Sequence, residues 1–191
     1  MIIVALPTIL ERKDAWVDVS HRWTETTDAP IVCVPAYRPG GWAQGLNEVW
    51  ELHGADAEVF VCGSDDMEPT EGWYEAILPW VDKGIIAPQV RDPRFDRWGP
   101  DVSDGDVVRM SSFPIIHGAF LPHIFPIAEN EPQHYYADDL ISDKARKAGI
   151  PTLAVPSCRI DHLMDERGRG AGMGTEDARM AHDRGVYRRL R

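Results

Sequence analysis

Apolar positions in this chain come in two textures: short unbroken runs, and longer stretches in which apolar residues recur every three or four positions. Ile2 to Leu6, Ile31 to Val34, Val59 to Cys62 and Ile85 to Ala87 are the unbroken runs, each the length of a strand covered on both faces. Between them, Trp42, Leu46, Val49 and Trp50 keep helical spacing up to Gly54. Trp73, Ile77, Leu78 and Val81 mark a further helix, distorted near Pro79. Thr8 and Glu11 have the T-x-x-E spacing of a capping box, which predicts a helix from there to about Trp23. Four strand–helix steps predict an α/β fold, with a mostly parallel central sheet, right-handed crossovers and flanking helices.

The pattern changes after residue 90. "RDPRFDRWGPDVSDGD", residues 91–106, has no periodicity and many turn formers, and reads as a long lid-like loop. Val107 to Met110 and Pro114 to Leu121 read as strands flanking a turn. Asp138 to Ala148 reads as a helix with Ile141, Ala145 and Ala148 on one face, and Leu153 to Val155 as a last short strand. "GRGAGMG", residues 168–174, is a hinge by composition, and Thr175 is placed to cap a final helix. The chain thus divides into a domain over residues 1–165 and a flexible C-terminal tail with a short helix over residues 166–191.

Charge sharpens that division. The 191 residues carry a net charge of −11, with 43% hydrophobic and 27% charged residues, as in a globular domain of ordinary size. Residues 166–191 hold seven Arg against four acidic residues, so the tail is basic and the rest strongly acidic. An acidic domain does not fit general nucleic-acid binding, which needs a basic face. Cys33, Cys62 and Cys158 are far apart and without metal-ligand spacing, as expected of free thiols in a reducing compartment. "MIIVALPTILERKD" has no basic segment ahead of its apolar residues, and no run reaches the ~18 apolar residues that span a bilayer. A cytoplasmic location is expected.

The acidic charge is densest where the third strand ends. "VFVCGSDDMEP" leaves an apolar run and at once presents Asp65, Asp66 and Glu68. In open α/β sheets ligands sit beyond the carboxyl ends of the strands, where these residues and the loop Ala36 to Gly41 both lie. The cluster reads either as a solvated turn, with Asp66 capping the next helix, or as a seat for a cation that bridges to something more negative. Asp138 and Asp139, at a helix start, read either as caps or as proton acceptors.

Four segments carry a resemblance covering roughly residues 1–165: "GGWAQGLNEVWELHGADAEVFVCGSDDMEP", "EGWYEAILPWV", "PIIHGAFLPHIF" and "YYADDLISDKARKAGIPTLAVPSCRIDHL". In order and spacing they resemble a small inverting glycosyltransferase of the GT-A fold, near family 2. The resemblance implies a nucleotide-sugar donor, an acceptor hydroxyl and a Mn²⁺ or Mg²⁺ cofactor. It implies metal ligands at Asp66, Glu68 and His162, and donor contacts at Thr8, Tyr37, Arg38, Asn47 and Asp65. It places the general base at Asp138 or Asp139, with Asp138 the better fit when counted back from Gly149. The chain departs from relatives that carry an Asp after strand two; here "VPAYRPGG" offers Tyr37 to stack on a base and Arg38 to meet a phosphate. An acceptor site this small is open to completion by the tail or by a second copy of the chain, a homo-oligomer. The rival readings are a nucleotidyltransferase, which usually has a glycine-containing loop where this chain has "LPTILERKD", and a catalytically inactive domain that only binds nucleotide sugars.

Overall fold

The computed structural model describes residues 1–8, 12–37, 41–91, 102–109, 111–127 and 137–163, together with Arg184 and Arg188. Among these, the chain forms β1 (Ile2–Thr8), α1 (Lys13–Glu25), β2 (Ile31–Tyr37), α2 (Trp42–His53), β3 (Val59–Cys62) and β4 (Met67–Pro69). There follow α3 (Trp73–Ile77), β5 (Ile85–Arg91), β6 (Val107–Val108), β7 (Ile115–His117), α4 (Leu121–Ile124), α5 (Ala137–Lys147) and β8 (Thr152–His162). The described strands make one sheet in the order β2-β1-β3-β7-β5-β8-β4, with β6 also paired to β8. β1 is parallel to β2 and β3, and β5 is parallel to β8. β7 runs antiparallel to both β3 and β5, so β2, β1, β3, β5 and β8 share one direction. The sheet is mixed but mostly parallel, with helices on both faces.

Alternation along the central strands explains the two layers. Ile3, Ala5, Phe60 and Cys62 pack with α2, α4 and α5, while Ile2, Val4, Leu6, Val59 and Val61 pack with α1 and α3. Both faces are covered, which is why these strands read as unbroken apolar runs. On the α1 side, Trp23 and Trp73 meet edge to face at 5.0 Å between ring centroids. Each indole N–H has an acceptor: Trp23 donates to the Met67 carbonyl at 2.9 Å and Trp73 to Thr26 Oγ1 at 3.1 Å. Such satisfaction is what lets a tryptophan be fully buried.

Several expectations are corrected. Thr8 is the last residue of β1 and does not cap a helix; α1 begins at Lys13, with Arg12 at its N-cap and no side-chain cap. The apolar run at Pro114 to Leu121 is a strand only over Ile115–His117, after which it coils into a helical turn and α4. β8 spans eleven residues and reaches His162, well past Val155. Its register against β5 shifts between Pro88 and Gln89, a bulge that lets the strand continue through Pro156. α5 ends as expected: Gly149 adopts φ 74°, and Ile150 N–H returns to the Ala145 carbonyl at 2.9 Å. Cys62 and Cys158 are buried and Cys33 is half-buried, with burial pushing the Cys33 thiol up to about 12. The tail, residues 166–191, lies outside the described residues except for Arg184 and Arg188, and most of the loop 91–106 does so too. Among the described residues no helix is long and apolar enough to cross a membrane.

Candidate functional site

The carboxyl ends of β1, β2 and β3 finish side by side. Thr8 is in register with Tyr37, and Gly63 N–H extends β3 by one bond to the Ala5 carbonyl at 3.0 Å. The chain then turns, and the first residues it presents are Ser64, Asp65 and Asp66. Three residues of β4 follow and pair antiparallel with the far end of β8, Met67 opposite His162. This pairing holds the turn in place: Leu163 N–H donates to the Asp66 carbonyl at 2.6 Å. Asp66 and His162 therefore meet because two strands distant in sequence close on one another.

Asp65 is 4% exposed and has a partner on each oxygen. Thr8 Oγ1 donates to Oδ2 at 2.5 Å, and Arg12 Nη1 lies 3.0 Å from Oδ1. Burial raises the Asp65 carboxyl above its ordinary range, with the Thr8 hydrogen bond and the Arg12 charge opposing and Asp66 adding to the rise. Asp66 is half-buried. Ser64 Oγ donates to its Oδ1, while Oδ2 faces His162 Nε2 at 3.5 Å and Arg12 Nη2 at 3.7 Å. Burial pushes Asp66 up too, but the His162 hydrogen bond and charge, Ser64 and Arg12 together outweigh it, and its carboxyl sits below the usual range. Two adjacent aspartates are thus driven in opposite directions by their surroundings.

An aromatic chain borders the pair. Phe113 contacts His162 edge to face at 5.4 Å and Trp42 at 6.1 Å. Trp42, at the start of α2, donates its indole N–H to the Gly63 carbonyl at 2.7 Å. His162 is in this way packed on one side and directed at Asp66 on the other.

Glu68 is not brought to this group. It sits in β4 opposite Asp161, and the charges acting on it are those of Arg22, Asp161 and Asp18, two of them on α1. Burial raises its carboxyl; the Arg22 charge opposes that rise. Asn47 is held on α2, where its Oδ1 accepts Ile127 N–H at 2.7 Å and ties the helix to the segment after α4. Tyr37 ends β2 beside Thr8; its side chain, and Arg38 entirely, lie outside the described residues.

Asp138 and Asp139 occupy the first turn of α5, where acidic residues suit the helix dipole. Asp138 Oδ1 accepts Asp139 N–H at 3.0 Å. Burial is the main cause that raises the Asp138 carboxyl to about 6; the Asp139 charge adds to it and backbone hydrogen bonds oppose it. Ala137 beside it packs in the same core as Trp42.

Arg12 is the residue the sequence reading passed over, together with Ser64 and Phe113. In the sequence Arg12 is one of several charges in "LERKD" at a helix start. Only the adjacency of β1 and β3 sets it against the two aspartates.

The residues present fit a divalent cation. Asp66 Oδ2 and His162 Nε2 are 3.5 Å apart, close to the ~3 Å between neighbouring corners of an octahedral shell with ~2.1 Å bonds. A carboxylate oxygen with an imidazole nitrogen suits Mn²⁺. Among the described residues no three His, Cys, Asp or Glu side chains gather as a ready metal cluster; Asp66 and His162 meet as a pair.

No protein-family profile matches the chain, and no curated protein matches it in sequence. Solved structures match its fold. The catalytic domain of Drosophila β1,4-galactosyltransferase 7, in complex with xylobiose, superposes with a TM-score of 0.66 at 11% identity, covering 96% of this chain and 79% of that one. GalNAc-T7 with UDP, GalNAc and Mn²⁺ gives a TM-score of 0.63 at 12% identity, over 85% of this chain but 43% of that larger one. A197 from STIV gives 0.57 at 16% identity over 86% and 85% of the two chains. The fold is that of GT-A glycosyltransferases.

Proposed function

We propose that the protein is a metal-dependent glycosyltransferase that moves a sugar from a nucleotide-sugar donor to an acceptor hydroxyl with inversion. The observation that carries the reading is the meeting of Asp66 with His162 at the carboxyl edge of a GT-A-like sheet. Structures sharing that fold hold UDP with Mn²⁺, or UDP-Gal with manganese and xylobiose.

Asp66 and His162 would hold the cation. Bound there, it supplies positive charge to the diphosphate that leaves with the broken glycosidic bond. Asp66 is suited to the task because its surroundings keep it ionised. Thr8 holds Asp65 by a hydrogen bond and Arg12 pairs with it, next to the turn that presents Asp66. Inversion is a single displacement: the acceptor oxygen bonds to the anomeric carbon as the bond to the diphosphate oxygen breaks. The acceptor proton passes to a carboxylate on the opposite side. Asp138 is the base in this reading, with Asp139 the alternative. A carboxyl near 6 takes up a proton more readily than an ordinary aspartate yet is ionised at neutral pH. In this reading Glu68 and Asn47 are given no role: the charges acting on Glu68 include two from α1, and Asn47 Oδ1 accepts the Ile127 N–H.

The test is thermal unfolding with Mn²⁺, with UDP or GDP, and with both. The pair should raise the melting temperature beyond either alone. Binding to the native state adds about 2.7 kcal/mol at a ligand concentration about 100 times Kd. Transfer, or slow hydrolysis of a nucleotide sugar, then separates an enzyme from a binding domain. A chain that no nucleoside diphosphate stabilises with metal present does not have this function.

A further inference from the structure

The cation-binding carboxylate already has a cation beside it. Arg12 spans both aspartates, 3.0 Å from Asp65 and 3.7 Å from Asp66, and a guanidinium does not give up its charge in a protein. A dication approaching Asp66 alone meets that fixed positive charge at close range. A nucleoside diphosphate changes the balance, because it brings more than one negative charge and offers oxygens that match a guanidinium fork.

The resting seat of Arg12 is also incomplete. Its Nε is buried and has no hydrogen-bond partner among the described residues. An unpaired buried donor works against the pose that creates it. The hold on Asp66 is the longer of the two contacts, and the side chain keeps 20% of its surface exposed, so the guanidinium is not sealed in. Arg12 is, in addition, the N-cap residue of α1, a helix end with no side-chain cap, where backbone N–H groups favour an anion.

We propose that Arg12 couples the cation to the diphosphate. In the free protein it neutralises the Asp65–Asp66 pair and disfavours a divalent cation at Asp66. When a nucleoside diphosphate arrives, the guanidinium turns from Asp66 to a phosphate oxygen while remaining near Asp65, and Asp66 becomes available. Mn²⁺ then binds well only together with the nucleotide. The proposal rests on the donor-site reading above and adds an order to it.

The experiment measures Mn²⁺ affinity from the free-ion paramagnetic resonance signal, with and without UDP or GDP, in the wild type and in Arg12→Gln and Arg12→Lys. In the wild type, nucleotide should tighten Mn²⁺ binding by about tenfold or more, within the usual range of coupling between two ligands. Arg12→Gln should bind Mn²⁺ more tightly than the wild type when nucleotide is absent, and its gain from nucleotide should shrink. Arg12→Lys, which keeps the charge, should retain a coupling closer to that of the wild type. Equal Mn²⁺ affinity in the wild type with and without nucleotide overturns the coupling while leaving the donor site intact, and needs no variant to fold. Unchanged or weaker Mn²⁺ binding by folded Arg12→Gln overturns it as well. Absence of Mn²⁺ binding under every condition overturns both the coupling and the donor-site reading.

Discussion

Two pairs of adjacent aspartates sit in opposite kinds of surroundings. Asp65 and Asp66 are gripped from several elements: Thr8 at the end of β1, Arg12 before α1, Ser64 beside them and His162 at the end of β8. Asp138 and Asp139 share the first turn of one helix, and the contacts that act on Asp138 are backbone N–H groups and its neighbour's charge. The result is that Asp66 is held below the ordinary carboxylate range while Asp138 rises to about 6. A metal ligand has to stay ionised, and a base has to take a proton near neutral pH. The proposed roles, cation ligand for Asp66 and base for Asp138, call for opposite shifts of this kind.

The comparison breaks most visibly at Asp138. Asp138→Asn keeps shape and much of the capping ability but loses the proton acceptor, so transfer should fall by roughly 10²–10⁴-fold. Donor binding, read as the Mn²⁺ and UDP thermal shift, should be unchanged. Full activity in both Asp138→Asn and Asp139→Asn would move the base elsewhere. The same substitution should stabilise the fold at pH 7. A carboxyl whose pKa is raised on folding contributes stability that is present below its unfolded value and lost as pH rises through about 6. Relieving that cost should make Asp138→Asn more stable than the wild type by about 1–2 kcal/mol at neutral pH, with the difference vanishing near pH 4. Denaturant melts at the two pH values check it. The transfer rate of the wild type should accordingly drop as pH falls below about 6; a profile flat from pH 5 to 8 would separate Asp138 from the chemistry.

Asp66→Asn comes next in size. It should abolish the metal-dependent part of the thermal shift, about 2.7 kcal/mol at ~100 times Kd, while nucleotide alone retains its smaller effect. If the metal effect survives, the cation is held elsewhere. Asn47→Ala sharpens the contrast between site and scaffold. Loss of the bond from Ile127 N–H should cost about 1–2 kcal/mol of stability with no change in Mn²⁺ affinity. The smallest effect is expected at Glu68. Glu68→Gln should leave metal and nucleotide binding alone and shift stability by no more than ~0.5 kcal/mol. A lost metal response there would return Glu68 to the ligand set.

Much of this was legible in the sequence because it depends on local pattern. The runs Ile2 to Leu6 and Val59 to Cys62 are short, unbroken and rich in β-branched and aromatic residues, the pattern of strands covered on both faces, as β1 and β3 are. Charge that follows such a run at once must lie at the carboxyl edge, which located Asp65 and Asp66. The helix read over Asp138 to Ala148 rests on local spacing too, and α5 starts one residue earlier at Ala137. What the tertiary structure alone decided is direction and partnership. A strand of three residues such as Ile115–His117 carries no mark of which way it runs, and its antiparallel insertion between β3 and β5 is settled by the neighbours it must cover. The Thr8 spacing fits a capping box, but pairing with β2 carries β1 through Thr8, in register with Tyr37, and α1 starts five residues later at Lys13. Glu68 shares the acidic run with Asp66, yet β4 pairs with β8 and sets it opposite Asp161, with Arg22 and Asp18 of α1 among the charges acting on it. Arg12 reaches Asp65 across more than fifty residues of chain for the same reason: hydrogen bonding between β1 and β3, and not sequence distance, sets which charges meet.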